Sequence, residues 1–506
     1  MIMSDTRRIA KNTLMLYFRQ ILIMAVSLYT VRVVLNVLGS EDYGIYNVVA
    51  GVVTMFGFLS GAMATASQRY FSYDLGKGDT EHLKTTFSVT FLIYVLLALI
   101  IVVLAETLGL WFVNNRLVIP VERMAATNWI FQAAVVSFLF TLITTPYMAS
   151  IIAHENMNVY AYVSIVEAGL KLGIVFLLKV LPYDKLIIYG LLLSAVALIN
   201  TSIYRFYCRA HYAECKTRFV KDVALFKEIV SYSGWNLFGS ASGVVKNQIV
   251  NILLNLFFGT TVNAARGIAL QVNAAVSSFA QNFSVAIRPP IIKTYATGEK
   301  ENSFSLVCRG SKYTFFLLYI FALPLCLEMN IILTIWLKNP PSQTVLFTRL
   351  VILETLLTSI SLPIMTLAQA TGKIKLYQGF VGSILLCNLP ASYVALKLGA
   401  EAYSVMIVAI AVEMIAFVSR IFIVKKLSGI SIKGFFVKSI FPCIAVSILS
   451  VIIPTIVFLC LKRGLFRLLI TVFISVLCVA ISVFFVGMNR NERKSVLAKI
   501  NQKIKR

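Results

Sequence analysis

The stretch LMLYFRQILIMAVSLYTVRVVL, from Leu14 to Leu35, is long and apolar enough to cross a bilayer, yet it carries Arg19 and Arg32. A guanidinium does not lose its charge in a protein. At the bilayer centre it costs about 2.5–3.5 kcal/mol on insertion scales. A segment that keeps two of them must offer each a route to water, a partner or a ligand.

Apolar runs of this kind recur along the whole chain of 506 residues, 59% of them hydrophobic and 13% charged. Mean hydropathy is +0.85. Soluble domains average about 25% charged residues. The runs are about 20 residues long, the length a spanning helix needs, and they lack the period-two alternation of barrel strands. Backbone groups in lipid need internal partners, which only helices and closed barrels supply. The composition therefore predicts an all-α polytopic membrane protein. The basic start MIMSDTRRIAKN leads into an apolar run too long for a signal core, so the first run is expected to be a spanning helix.

Fourteen spans are predicted: 12–37, 44–67, 86–112, 124–147, 159–180, 186–206, 230–257, 263–287, 313–336, 347–370, 377–396, 402–424, 439–460 and 467–487. With the N-terminus cytoplasmic, about two-thirds of the 46 lysines and arginines fall on the cytoplasmic side. This positive-inside bias accounts for the net charge of +25 without nucleic acid, and anionic lipid headgroups are the expected counter-charge. The stretch KRGLFR, Lys462 to Arg467, is the exception, because it falls on the outer side. Both termini are then cytoplasmic, and 489–506 is a basic tail. The longest loops, 207–229 and 288–312, are also cytoplasmic, and the second is amphipathic enough for a short surface helix. The 8 cysteines form no CxxC and read as small hydrophobes. The three histidines are far apart, so neither a metal site nor a cofactor is expected.

An internal repeat divides the chain. LNVLGSEDYGIYNVV resembles LNLFFGTTVNAARGIAL, and LGKGDTE resembles YATGEKE. The interval from Gly39 to Gly259 equals that from Gly78 to Gly298, and Arg69 and Arg288 close the preceding helix at nearly the same spacing. The offset covers six helices, an even number, so the repeats are parallel. The expected organisation is an N-lobe at 1–220, a C-lobe at 221–437, two further helices at 438–488, and the tail. Secondary transporters are commonly built this way, with a site near mid-membrane between the halves.

The intramembrane charges mark candidate residues. Lys246 lies mid-span, too deep for its side chain to reach the interface. Its helix side carries Asn236, Gly239, Ser240, Gly243, Asn247 and Asn251. The next span aligns Asn263, Arg266, Asn273, Ser277, Gln281 and Ser284, with Arg266 about a turn from the outer end and so placed either to snorkel or to face this stripe's interior. Arg19 shares a face with Asn12, Gln20, Ser27 and Thr30, and the second span adds Asn47, Thr54, Gly61 and Thr65. Arg32 lies near the outer end, placed to snorkel or to pair with Glu41 or Asp42. Glu167 and Lys171 have the i,i+4 spacing of a self-neutralising pair, although Lys171 also suits an anion. Glu413 has no base a turn away and is expected either to pair with Lys246 or, with Glu354, to couple an ion. Arg19, Lys246, Arg266 and Lys171 would make a basic interior suited to phosphate. Asn47, Thr54, Asn247, Asn273 and Gln281 would line it, and Arg69 and Arg288 would stand at the cytoplasmic entrance.

The two six-helix repeats, the two extra helices and the intramembrane bases resemble the polysaccharide transporter family of the multidrug/oligosaccharidyl-lipid/polysaccharide exporter superfamily. The likeness is strongest from Asn251 to Glu301 and in RRIAKNTLMLYFRQ…RVVLNVLGSEDYGIYNVVAG. The resemblance implies a flippase moving undecaprenyl-pyrophosphate-linked oligosaccharide across the bacterial inner membrane for O-antigen, capsule or exopolysaccharide synthesis. Arg19, Lys246 and Arg266 would hold the pyrophosphate, and helices 439–487 would flank the prenyl chain. Membrane lipids and other polysaccharide-assembly proteins are the implied partners. A multidrug cation exporter of the same superfamily would need a net acidic interior. A membrane enzyme of glycan assembly would need catalytic residues on longer outer loops.

Overall fold

A computed structural model describes residues 2–54, 56–117, 119–218, 220–494 and 497. All regular structure among them is helical. The chain order is α1 (Ile2–Thr54), α2 (Gly57–Lys77), α3 (Thr80–Leu104), α4 (Leu110–Asn115), α5 (Met124–Ala153), α6 (Met157–Val180), α7 (Lys185–His211) and α8 (Val223–Ala296). It continues with α9 (Lys300–Leu337), α10 (Thr344–Ala370), α11 (Ile374–Leu386), α12 (Asn388–Lys397), α13 (Ser404–Ser428), α14 (Ile432–Phe435), α15 (Phe441–Cys460) and α16 (Leu465–Ser482).

Eleven helical stretches of the described residues are long and apolar enough to span a membrane. The fold is that of a multi-pass membrane protein, and large apolar side chains face outward, as on α16, where Leu469 and Phe473 are both 69% exposed. The expected spans 230–257 and 263–287 lie within α8, and 44–67 is divided between α1 and α2; none of the three is among the eleven. Asn, Ser and Gln are dense in 230–257 and 263–287 and dilute their hydropathy, and the end of α1 at Thr54 cuts 44–67 short.

Glycine sets the repeat's corners. Gly39 breaks α1 at φ 81 and ψ 170, and Gly259 breaks α8 at φ 79 and ψ −170. That backbone region is essentially closed to residues with a Cβ. Gly78 and Gly298 end their helices in the left-handed conformation. Asp79 N bonds Asp74 O, and Glu299 N bonds Thr294 O, in the same six-residue closure. These closures end a helix within one residue, so both helices run further than expected. Arg69 and Arg288 lie inside α2 and α8 rather than at their ends, and only 297–299 separates α8 from α9. The predicted loop 288–312 is therefore a tight turn between two helices. Likewise α7 runs to His211 and α8 begins at Val223, which shortens the predicted loop 207–229. Pro146 and Pro363, and the positive-φ residues Glu155 and Gly372, share a second common interval.

The chain divides into two compact units, Met1–Ser240 and Ala241–Arg506, with the division inside α8. The core of the first unit joins Val49, Ile130, Phe131, Val175 and Leu186, from α1, α5, α6 and α7. A core of the second unit joins Val250, Leu254, Phe347, Leu396 and Met406, from α8, α10, α12 and α13. Aspartates cap α3, α7 and α8: Asp79, Asp184 and Asp222 accept from His82 N, Leu186 N and Leu225 N.

Candidate functional site

In the second unit, Lys246 is 7% exposed, with Nζ 2.5 Å from Glu354 Oε1 and 3.7 Å from Glu413 Oε2. Glu413 Oε1 accepts from Arg420 Nη1 at 2.5 Å, and the same nitrogen donates to Ser361 Oγ at 3.2 Å. Two acids and two bases from α8, α10 and α13 form one chain of ion pairs with no net charge. The expected pairing of Lys246 with Glu413 is present but long, and Glu354 is the closer partner. Arg420, near the end of the expected span 402–424, is buried against Glu413. It stands seven residues on, two helical turns, beyond the i,i+4 spacing of neighbouring side chains on one helix.

Arg266, on α8 beyond the Gly259 break, has a different environment. It is 4% exposed. Nη1 donates to the Asn247 carbonyl at 3.0 Å and to the side-chain oxygen of Asn251, and Nη2 donates to Asn247 Oδ1 at 3.5 Å. No carboxylate among the described residues lies within ion-pair distance, and Nε has no partner. A buried full charge cradled only by amides and a carbonyl retains donor capacity for an anion.

In the first unit, the Arg19 guanidinium lies 4.4 Å from the centre of the Tyr160 ring. Its Nε is also unpartnered, and no described carboxylate pairs with it. Composition gave no signal for Tyr160. Arg32 is exposed, and Asp42 is occupied by Arg123 at 2.6 Å, with Asp184 at 2.6 Å on the other side of the same guanidinium. Lys171 is 2.7 Å from Glu167, which also accepts from Asn200 at 3.2 Å.

Of the expected lining residues, Asn247 holds Arg266, and Asn273 has a buried Oδ1 without a partner. Asn47 and Gln281 are exposed, and Asn47 donates to the Tyr43 carbonyl. The Thr54 side chain lies outside the described residues. Arg69 is buried over the rings of Tyr70, Tyr73 and Tyr232, and Arg288 is half-buried beside Pro289. Arg467, from the exceptional KRGLFR stretch, turns inward onto Glu328, with Nε 2.9 Å from Oε1.

A family model described as polysaccharide biosynthesis protein matches residues 9–294. No curated protein matches the sequence significantly. Solved structures share the fold. A MATE crystallised in the bent conformation superposes with a TM-score of 0.70 at 13% identity, covering 84% of this chain and 97% of that one. The outward-facing conformation of a multidrug resistance MATE family transporter of the MOP superfamily gives 0.69 at 12% identity, covering 83% and 96%. A MOP superfamily transporter from Pyrococcus furiosus, whose binding pocket is described as reversed in polarity, gives 0.66 at 12% identity, covering 83% and 96%. At such identities the likeness is one of fold.

Proposed function

The chain belongs to the polysaccharide biosynthesis protein family, and from that premise we propose that it is a flippase for undecaprenyl-pyrophosphate-linked oligosaccharide. It acts in the bacterial cytoplasmic membrane, with both termini cytoplasmic, and moves its substrate by alternating access for surface polysaccharide synthesis. The observation that carries this reading is Arg266, a buried guanidinium without a carboxylate and with an unpartnered Nε. Arg19, half-buried against Tyr160, supplies a second guanidinium with an unpartnered Nε in the other unit. Guanidinium groups bind phosphate oxygens by paired, charge-assisted hydrogen bonds. Lys246 takes part in a conditional way, because phosphate must compete with Glu354 and Glu413 for its ammonium. The same two carboxylates are the candidates for ion coupling, since protonating either one would release positive charge for the substrate.

A cation exporter is the weaker reading. Glu354 and Glu413, the acids it would need, are both neutralised by Lys246 and Arg420. A glycan-assembling enzyme is disfavoured because the loops expected on the outer side are short, with 181–184 between α6 and α7 and 338–343 between α9 and α10. The test is complementation of a strain lacking the gene. Arg266→Ala and Arg19→Ala should each abolish surface glycan while the protein still inserts, and Arg266→Lys should retain part of the export. Normal surface glycan from both alanine variants would refute the assignment.

A further inference from the structure

A cavity of 290 Å³ in the first unit lies where α2 ends and α3 and α8 begin. Arg69, Tyr73 and Lys77 are spaced by four along α2 and present one face to it. Asp74, Asp79 and Glu228 also line it. We propose that this cavity binds a neutral glycosyl unit, and so reads the identity of the glycan before transport; this rests on the flippase reading.

Charge is the first argument. Two cations face three carboxylates, and His82 lies 3.0 Å from Asp74. A ligand of either net charge meets like charge on part of the wall, which disfavours it. A polyol, with donors and acceptors but no charge, can use both kinds of group. The carboxylates are held in place for this. Asp74 accepts from Thr86 Oγ1 at 2.7 Å, Glu228 from the Tyr70 hydroxyl at 3.0 Å, and Asp79 from His82 N at 2.9 Å. Each retains acceptor sites, since an ionised carboxylate offers about four. They do not form a metal cage, because no group of three potential ligands among the described residues is arranged to hold an ion.

The second argument is shape. Tyrosine combines an apolar ring with a polar rim, which suits a pyranose with its C–H faces and hydroxyl edges. The Lys77 ammonium and the Arg69 guanidinium each lie 4.8 Å from the Tyr73 ring centre, so donors stand beside that ring. The volume falls just below the roughly 300–1,000 Å³ of small-molecule pockets. It suits a single sugar ring with its substituents rather than a whole oligosaccharide.

The test uses the purified full-length protein in phosphatidylcholine nanodiscs and saturation-transfer NMR. The probes are the methyl glycosides of glucose, galactose and N-acetylglucosamine, with glucuronate and phosphoethanolamine as charged comparators. At least one neutral glycoside should bind, and Tyr73→Ala and Glu228→Gln should each weaken it by about tenfold or more. Lys77→Met, at an exposed side chain, replaces Tyr73→Ala if the latter does not fold. The proposal is overturned if no neutral glycoside binds, if the cavity variants bind as the parent does, or if a charged comparator binds in preference. Because the readout is binding rather than export, it stands apart from the complementation test: normal export by the Arg266 and Arg19 variants would sink the flippase site and leave this measurement unaffected.

Discussion

Glu413 is 3% exposed in a spanning helix, where Arg420 bonds it directly and Lys246 stands behind. Removing one member of such a set strands the others, which typically costs about 3–5 kcal/mol, whereas removing a pair together is often close to neutral. Arg420→Met should therefore lower the melting temperature sharply in detergent, and adding Glu413→Gln should recover most of the loss. Equal destabilisation by the single and double variants would mean that the pair does not act as a unit. Glu214, outside the spans, shows the opposite balance of forces. Burial pushes its carboxyl upward, but hydrogen bonds from His154 and Ser150 and the backbone hold it below its ordinary value. A carboxylate with a depressed folded pKa stabilises above its unfolded value and loses that contribution as pH falls through the folded one. Below about pH 4.5, the ordinary glutamate value, the parent should lose thermal stability more steeply than Glu214→Gln in a pH series of melting curves. A deep single charge such as Lys246 was legible in the sequence because a charge in an apolar run is conspicuous, whereas Arg266 stands near the end of its expected span 263–287. Of the partners, the Lys246–Glu413 contact was legible, but the closer one from Glu354 and that of Arg420 with Glu413 were not: Glu354 is on another helix, and Arg420 lies two turns from Glu413, at an apparent helix end.

At the scale of the element, the glycine corners are both the clearest signal and the most testable one. The equal intervals that join Gly39 to Gly259 and Gly78 to Gly298 were visible in the sequence, and each pair has matching backbone angles. Helix ends were less visible, because α2 and α8 stay helical through arginine, lysine and even the Pro289–Pro290 pair until a left-handed glycine closes them. Hydropathy falls before the helix stops, so spans defined by hydropathy are too short on that side. Gly259 and Gly267 separate backbone strain from packing. A Cβ built at either position meets no atom within 4 Å. Only Gly259 has a positive φ, so Gly259→Ala should cost about 1–3 kcal/mol through strain alone. Gly267→Ala, within regular helix, should be neutral or stabilising by up to about 1 kcal/mol. Thermal denaturation of the two variants side by side checks the contrast, and equal effects would show that the break at Gly259 is not strained against a side chain.

At the scale of the whole molecule, α15 and α16 are tied to the second unit at two distant points of α9. Glu328, fully buried where α9 departs from helical geometry, accepts from Arg467 and from Thr471 Oγ1, while Arg349 takes up the carbonyls of Cys326 and Leu327. Lys312, 4% exposed, donates to Glu492 at 2.6 Å and to the Gly487 carbonyl at 3.0 Å. Between Lys312 and Glu328 the helix rises roughly 24 Å at ~1.5 Å per residue, so the two ties act near opposite ends of the hairpin. The hairpin itself was legible as two apolar runs beyond the repeat, but its attachment was not, because the pairs join residues more than a hundred positions apart. This also narrows the exception at KRGLFR, since Arg467 pairs with Glu328 while Lys462 and Arg463 stay exposed. Two end clamps predict that the hairpin moves with α9 rather than as an independent gate. Glu492→Ala should leave Lys312 buried with only a carbonyl, and hydrogen exchange should quicken in α16 while α10 and α13 keep the parent rates. Adding Lys312→Met removes the stranded charge and should restore slow exchange in α16. If α16 exchanges at the parent rate in Glu492→Ala, the lower clamp bears no load and Glu328 with Arg467 holds the hairpin alone; if all helices quicken together, the hairpin is part of the unit's global folding rather than a separately tethered layer.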